Sequence, residues 1–188
     1  MSVAAVVGAL GVLLNQVFIW PQVRRAVTTV EGVAALTVLG GLLARTAWTV
    51  FGASLGDVPL ILGNVTVATG FLVILLLMLR HARRPLALLA GAAGVGAIVL
   101  AAALAGELVL GWMAVVSAAV VNLPQMLRAL TDRERLAGVS VLTYVLIAAA
   151  STCWLIYGVL VDEPLISAPH LLLLPTALIT AAVASRNH

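Results

Sequence analysis

Arg45 is the only charged residue in the interior of an apolar segment of this sequence. A charge in such a segment is costly, and it is retained where a ligand or a polar group meets it. Arg45 lies three residues before Trp48, so the two side chains share a helix face. A fixed cation there would favour a solute that bears a carboxylate or a phosphate. The alternative is a structural role, with amides such as Asn15, Gln16 or Asn122 satisfying the guanidinium.

Two pairs of an aromatic and a polar residue occur with the same spacing. Trp48 and Asn64 are sixteen residues apart, and so are Trp154 and His170. An indole face stacks on apolar ring faces, while amide and imidazole groups both donate to hydroxyls and accept from them. Each residue also has an alternative role that involves no ligand. The tryptophans could pack or anchor at the interface, Asn64 could make an interhelical hydrogen bond, and His170 could be a packing residue.

The other titratable and nucleophilic residues indicate neither a metal site nor an active site. His81 and His188 lie near arginines at segment ends, away from His170, so no cluster of metal ligands is expected. Cys153 is the single cysteine and lies within an apolar segment. No nucleophile, base and orienting group recur together, so we expect no enzymatic activity and no cofactor.

The candidate residues belong to a sequence unit that occurs twice. Pro21-Gln22 and Pro124-Gln125 open the two copies. The first copy continues with Arg25, Ala26, Thr28, Gly32, Val33, Leu36, Thr37, Thr46, Trp48, Gly52 and Pro59-Leu60-Ile61. The second continues with Arg128, Ala129, Thr131, Gly138, Val139, Leu142, Thr143, Thr152, Trp154, Gly158 and Pro164-Leu165-Ile166. Counting from the tryptophans pairs Asn64 with His170, whereas aligning the Pro-Leu-Ile strings pairs it with Pro169. The duplication predicts two structural modules.

The composition indicates an all-α integral membrane protein. Hydrophobic residues make up 63% of the chain and charged residues 9%, and the mean hydropathy is +1.21. Soluble domains carry roughly 25% charged residues. Because a helix needs ~20 mostly apolar residues to cross a membrane, the sequence predicts seven spans, at 3–23, 33–53, 59–79, 86–106, 108–128, 139–161 and 164–184.

Arginine placement predicts the orientation and the arrangement of the modules. The chain has no lysine, and nine of its ten arginines fall in alternate connections or at the carboxyl end. The positive-inside rule then places the amino terminus outside and the carboxyl terminus in the cytoplasm. Both Pro-Gln pairs lie on the arginine side, which requires one extra crossing between two three-helix units. We therefore expect two parallel three-helix bundles at 1–85 and 107–188, joined by a linker helix at 86–106.

Two such bundles, each with a Pro-Gln pair at the end of its first helix, resemble the PQ-loop family, and within it the SWEET and SemiSWEET sugar transporters. The resemblance covers essentially the whole chain. It implies bundles packed around a central cavity, with a tryptophan and an asparagine from each bundle in the sugar site. Trp48, Asn64 and Trp154 match that pattern. His170 stands where the full-length transporters typically have an asparagine, an exchange that concerns the substrate more than the fold.

Depth supports the same grouping of residues. Trp48 lies six residues before Ser54 and Asn64 six after Val58, the expected limits of an outer loop. At 1.5 Å per residue, both lie about 9 Å inside the helix ends. Trp154 and His170 flank the last outer connection, at Asp162 and Glu163, at a similar depth, so four side chains are expected on one level.

The prolines predict a possible motion. Pro21 and Pro124 cannot donate to the carbonyls four residues back, which loosens each helix near its cytoplasmic end. Bending there would open an inner gate, with Gln22 and Gln125 placed to bond freed backbone groups. The alternative is that each Pro-Gln pair simply ends its helix.

Together these features predict a carrier that moves a small polar solute, with a sugar as the first expectation, by alternating access. No acidic residue lies inside a predicted span, so uncoupled facilitated diffusion is expected, with His170 as the one candidate proton carrier. One alternative is an amino-acid or organic-anion carrier, which Arg45 and His170 favour. The other is a non-transporting receptor or sorting protein. The expected location is the plasma membrane and the expected partners are the solute and lipid, with no nucleic acid. A homo-oligomer is compatible with the sequence.

Overall fold

The residues that the structure describes form seven α-helices. The structure is a computed structural model that describes residues 2–31, 33–131 and 141–185, and among them all side chains but those of Phe18, residues 121–131 and Ala184. The helices are α1 (Val3–Thr28), α2 (Ala35–Leu55), α3 (Val58–His81), α4 (Pro85–Ala105), α5 (Glu107–Thr131), α6 (Val141–Leu160) and α7 (Pro164–Ala184). The predicted all-α architecture with seven helices is confirmed.

Several positions used in the sequence analysis fall outside this description. They are Gly32, Gly138, Val139, His188 and three of the ten arginines, Arg133, Arg135 and Arg186, together with the side chains of Asn122, Pro124, Gln125, Arg128, Ala129 and Thr131.

The helices have the length and composition of membrane spans. Six of them, α1 to α4, α6 and α7, are long and apolar enough to cross a membrane. In α5 the stretch with described side chains, Glu107–Val120, is apolar as well. A helix satisfies its own backbone hydrogen bonds, which is what a chain in lipid requires. The chain is an integral membrane protein.

The chain divides into two compact units. The α2–α4 unit comprises Asn15–Ser117, and the α6–α7 unit comprises Met1–Leu14 and Ala118–His188. Helices α1 and α5 each contribute residues to both units, because the unit boundary falls inside them. The repeat boundaries expected at 85 and 107 remain a prediction.

Small residues allow the helices of the α2–α4 unit to pack closely. Helix α2 packs against α3 and α4, and α3 also contacts α4. A methyl group at Gly41 would collide with the ring of Phe71, and one at Gly91 would lie 2.6 Å from a methyl of Leu39. Lipid tails are as apolar as leucine, so such close packing stabilises helix contacts in a membrane. The buried core of the unit is formed by Ile19, Val23, Ala26, Val38, Val67, Ile74 and Leu75.

The α6–α7 unit uses the same device between its two consecutive helices. Helix α6 packs along α7. A methyl group at Gly158 would collide with Ser167, whose hydroxyl donates a 2.9 Å hydrogen bond to the Leu155 carbonyl. Tyr144, Ala148, Ala177 and Ala181 form the buried core cluster of this pair.

The turns before α3 and α7 have the same construction. Asp57 caps α3 by accepting from the Leu60 N–H at 2.7 Å, and its own N–H donates to the Gly52 carbonyl at 2.8 Å. Glu163 caps α7 by accepting from Leu165 N–H at 3.1 Å, and its N–H donates to the Gly158 carbonyl at 2.9 Å.

The residue before each cap also has the same backbone conformation. Gly56 has φ +67° and Asp162 has φ +56°, both in the left-handed region. Glycine adopts this conformation without strain, and aspartate is among the residues that tolerate it best. Both turns therefore reverse the chain in the same way.

Helix α1 does not end at its Pro-Gln pair. It continues seven residues past Pro21, to Thr28, although the proline cannot donate to the Val17 carbonyl. The alternative that Pro21-Gln22 simply ends the helix is therefore wrong, as is the predicted end of the first span at 23. Helix α5 likewise extends to Thr131, beyond the predicted end at 128.

Candidate functional site

Trp48 and Trp154 occupy equivalent, buried positions in their respective units. Trp48 is 6% exposed and Trp154 is 4% exposed. Each meets an aromatic ring one turn later on its own helix, edge to face. The ring centroids of Trp48 and Phe51 are 5.9 Å apart at 71°, and those of Trp154 and Tyr157 are 5.6 Å apart at 89°. Such pairs hold an indole in one orientation, as a stacking surface for a ligand requires.

Asn64 is buried beside Arg45 in the α2–α4 unit. The Arg45 Nη1 donates a 3.0 Å hydrogen bond to the Asn64 Oδ1, and the Asn64 Nδ2 donates to the Leu60 carbonyl at 2.9 Å. A guanidinium has donors only, so the amide oxygen must face it. Asn64, which is 3% exposed, is thereby held in a single orientation.

Arg45 lies at the midpoint of α2 and is half-buried. Insertion scales assign about 2.5–3.5 kcal/mol to an arginine at the centre of a spanning helix. In the part of the chain that the structure describes, its side chain has the one hydrogen bond to Asn64, and no acidic side chain pairs with it. A neutral amide lowers the cost of the charge without neutralising it.

The amides expected as structural partners of Arg45 have other roles. Asn15 Nδ2 donates to the Gly63 carbonyl at 3.3 Å, and Gln16 Nε2 donates to the Thr66 hydroxyl at 2.7 Å. Both bonds join α1 to α3. The expectation that Asn15 or Gln16 would satisfy the guanidinium is therefore corrected, since Asn64 takes that role. The third candidate, Asn122, has no described side chain.

Helix starts decide which residue is equivalent to Asn64. Helix α3 begins at Val58 and α7 at Pro164, so Asn64 and His170 are each the seventh residue of their helix. The packing of the two glycines agrees, because Gly52 faces the Ile61 nitrogen and Gly158 the Ser167 nitrogen. His170 is therefore the structural counterpart of Asn64, and the alignment that pairs Asn64 with Pro169 is wrong.

His170 is half-buried, and its Nδ1 atom is fully buried. In the same register, the buried Ser151 is the counterpart of Arg45. One unit thus carries an arginine and an amide where the other carries a hydroxyl and an imidazole. All four groups have the capacity to hydrogen-bond with hydroxyl or carboxylate oxygens, but only the first pair carries a permanent charge.

Gly11 is a site residue that the sequence analysis missed. It lies in the part of α1 that belongs to the α6–α7 unit, and a methyl group at this position would lie 2.9 Å from the Cε2 atom of Trp154. The glycine thus leaves room for the indole. A small residue within a long apolar helix is the signal of such a close approach, although it does not name the partner.

The hinge candidates are only partly described. Pro21 and Gln22 are exposed on α1, and the neighbouring Trp20 donates its indole N–H to Gln16 Oε1 at 3.1 Å. Gln22 has no hydrogen bond to another described residue, so the expected bond to a freed backbone group is not seen there. Pro124 and Gln125 lie within α5, and their side chains are outside the described residues.

The described side chains offer no evident metal site. Within residues 2–31, 33–131 and 141–185, no three histidine, cysteine, aspartate or glutamate side chains come together. The polar groups described above are suited to hydrogen bonding with a solute.

Comparison with known proteins identifies the fold. A scan against models of protein families finds no match, and no curated protein matches the sequence. Among solved structures, the chain is similar to a eukaryotic SWEET transporter, with a TM-score of 0.84 and 16% sequence identity over 98% of this chain and 96% of that chain. The expected SWEET-like fold is confirmed. At this identity the similarity establishes the fold alone.

Proposed function

We propose that this protein is a membrane carrier that moves a small polar solute by alternating access, without coupling to an ion gradient, and that it has no enzymatic activity. A sugar is the first candidate solute. The observation that carries the proposal is the SWEET fold over the whole chain, combined with an equivalent buried tryptophan and polar side chain in each unit.

The proposed solute-binding residues are Trp48, Asn64 and Arg45 in the α2–α4 unit and Trp154 and His170 in the α6–α7 unit. The orientation of the indoles by Phe51 and Tyr157 supports a stacking role. The amide, guanidinium and imidazole supply donors for hydroxyl or carboxylate oxygens.

The proposed moving part is α1 near Pro21-Gln22, with α5 near Pro124-Gln125 as its counterpart. The support is the position of Pro21 inside a continuing helix, where a missing backbone hydrogen bond permits bending. Nine of the ten arginines fall in alternate connections or at the carboxyl end, which favours a cytoplasmic carboxyl terminus and an outside amino terminus. The proposed location is the plasma membrane.

Uptake by purified protein in liposomes tests the proposal. We expect accumulation of a labelled sugar or hydroxy acid to the external concentration, unaffected by a pH or sodium gradient. Liposomes without protein measure leakage. Tight binding with no uptake would instead indicate a receptor, and gradient-driven accumulation would contradict uncoupled diffusion.

A second candidate function is an organic-anion carrier of the same fold. Arg45 favours it, because this cation has no acidic partner in the described residues. The same uptake assay distinguishes the two candidates when neutral and anionic solutes compete.

A further inference from the structure

We propose that Arg45 and Asn64 bind the anionic group of the solute, so that the cargo is a small hydroxylated molecule carrying a carboxylate or a phosphate. This proposal rests on the proposed carrier function and narrows its substrate class. It begins from the 3.0 Å hydrogen bond between the Arg45 guanidinium and the Asn64 amide oxygen.

The positive charge of Arg45 is not neutralised by any side chain that the structure describes. All five acidic residues that the structure describes lie at helix ends or between helices. Both ends of α2, at Ala35 and Leu55, are ten residues from Arg45, about 15 Å at the rise of an α-helix. A carboxylate there cannot reach the guanidinium, so the charge needs a counterion from elsewhere.

The guanidinium of Arg45 has hydrogen-bond donors that no described acceptor uses. It has five N–H donors in a planar fork that matches the two oxygens of a carboxylate or phosphate. Asn64 accepts from one nitrogen, and no other acceptor for this side chain occurs in the described residues. Arg45 is half-buried, so its side chain is not fully enclosed by the protein.

The two units differ in charge at the position of Arg45. The register of the helix starts places Ser151 where Arg45 lies in the other unit. A solute with hydroxyls alone would need no fixed cation in either unit. A single cation suits a solute with one anionic group and otherwise neutral oxygens.

Binding would exchange one hydrogen bond for another. The oxyanion of the solute replaces the Asn64 oxygen on Arg45, and the freed amide oxygen then accepts from a neighbouring hydroxyl of the solute. Asn64 thus holds the guanidinium in place until the cargo arrives. A hydrogen bond between two opposite charges replaces one between a cation and a neutral amide, which favours the exchange.

Calorimetric titration of the purified full-length protein with D-gluconate, D-glucose 6-phosphate and D-glucose tests the proposal. We expect at least one of the two anions to bind about tenfold or more tightly than glucose, which is the difference expected from one charge-assisted contact. The tighter anion identifies the group that is recognised. Glucose binding as tightly as both anions would overturn the proposal.

Three variants locate the effect. Arg45→Gln should remove the preference for the anion, whereas Arg24→Gln, which changes the net charge equally at an exposed position, should keep it. Asn64→Asp places a carboxylate next to the guanidinium and should also remove the preference while retaining Arg45. If Arg45→Gln does not fold, the anion preference of Asn64→Asp is compared with that of Arg24→Gln. An unchanged anion preference in Asn64→Asp would contradict the proposal.

Uptake measurements separate this proposal from the carrier function. Anion binding that depends on Arg45, without uptake, would support the binding site and contradict the carrier. Glucose uptake could instead be equal in wild type, Arg45→Gln and Asn64→Asp, with no preference of the wild type for an anion. That result would support the carrier function and overturn the anion site.

Discussion

Asn64 makes an interhelical hydrogen bond at a position that is also proposed to bind the solute. Its position was expected to supply a solute-binding amide, and its alternative role was an interhelical hydrogen bond. The structure has that interhelical bond, with Arg45 as its partner. The two residues are on different helices, and no sequence pattern pairs residues across helices, so the sequence could propose each residue without predicting their contact.

The tryptophans provide the residue-scale prediction for binding. We expect Trp48→Ala and Trp154→Ala each to weaken solute binding by about tenfold or more, because a stacking surface contributes roughly 1 kcal/mol beyond its buried area. Titration of the purified variants measures this. Trp112→Ala is the control, since that tryptophan is 53% exposed on α5. Full affinity in both variants would rule out both indoles as binding surfaces.

Gly11 provides a residue-scale prediction for stability. Gly11→Ala should lower the free energy of unfolding by about 1–3 kcal/mol, because the added methyl overpacks against the Trp154 indole. Thermal unfolding in detergent measures the loss. Gly94→Ala is the matched control, since a methyl at that glycine meets nothing within 4 Å. Equal stability of the two variants would mean that the indole moves aside freely.

At the scale of helices, apolar segments of membrane length predicted all seven elements. The predicted spans 3–23 and 108–128 end before α1 and α5 do, because about 20 apolar residues suffice to cross a membrane, whereas a helix can continue past its apolar stretch and past a proline. The proline only removes one hydrogen bond, and helix α1 continues through Arg24 and Arg25 to Thr28.

The register of the repeat needed the structure for a similar reason. Pro59 is the second residue of α3, whereas Pro164 is the first residue of α7. Both positions tolerate proline because the first N–H groups of a helix have no partner within it. The Pro-Leu-Ile string is therefore displaced by one residue between the repeats, while the capping residues Asp57 and Glu163 keep the register.

The hinge provides the prediction at this scale. Pro21→Ala restores a backbone hydrogen bond to the Val17 carbonyl inside α1. We expect it to lower the transport rate several-fold while solute affinity changes less than twofold, because bending of the helix becomes more costly. Initial rates of uptake and equilibrium titration measure the two quantities.

Pro85→Ala is the control for this prediction, since Pro85 is the first residue of α4 and its replacement completes no internal bond. Equal uptake rates for wild type and Pro21→Ala would contradict a hinge at this position.

At the scale of the whole molecule, the fold followed from composition, duplication and arginine placement. These features are spread over many residues, so errors at single positions do not change the result. The solute is different, because it depends on a few contacts between side chains far apart in sequence. His170 at the position equivalent to Asn64, and the Arg45–Asn64 bond, make the two units chemically different at equivalent positions.

Counterflow in proteoliposomes tests the central claim, an alternating-access carrier, most directly. Vesicles containing the protein are loaded with unlabelled solute and diluted into a trace of labelled solute, with gluconate and glucose in parallel. An alternating carrier predicts a transient accumulation of label above the external concentration, because internal solute returns the site to the outside. If vesicles loaded with unlabelled solute take up no more label than empty vesicles, for gluconate and for glucose, the result would contradict an alternating-access carrier.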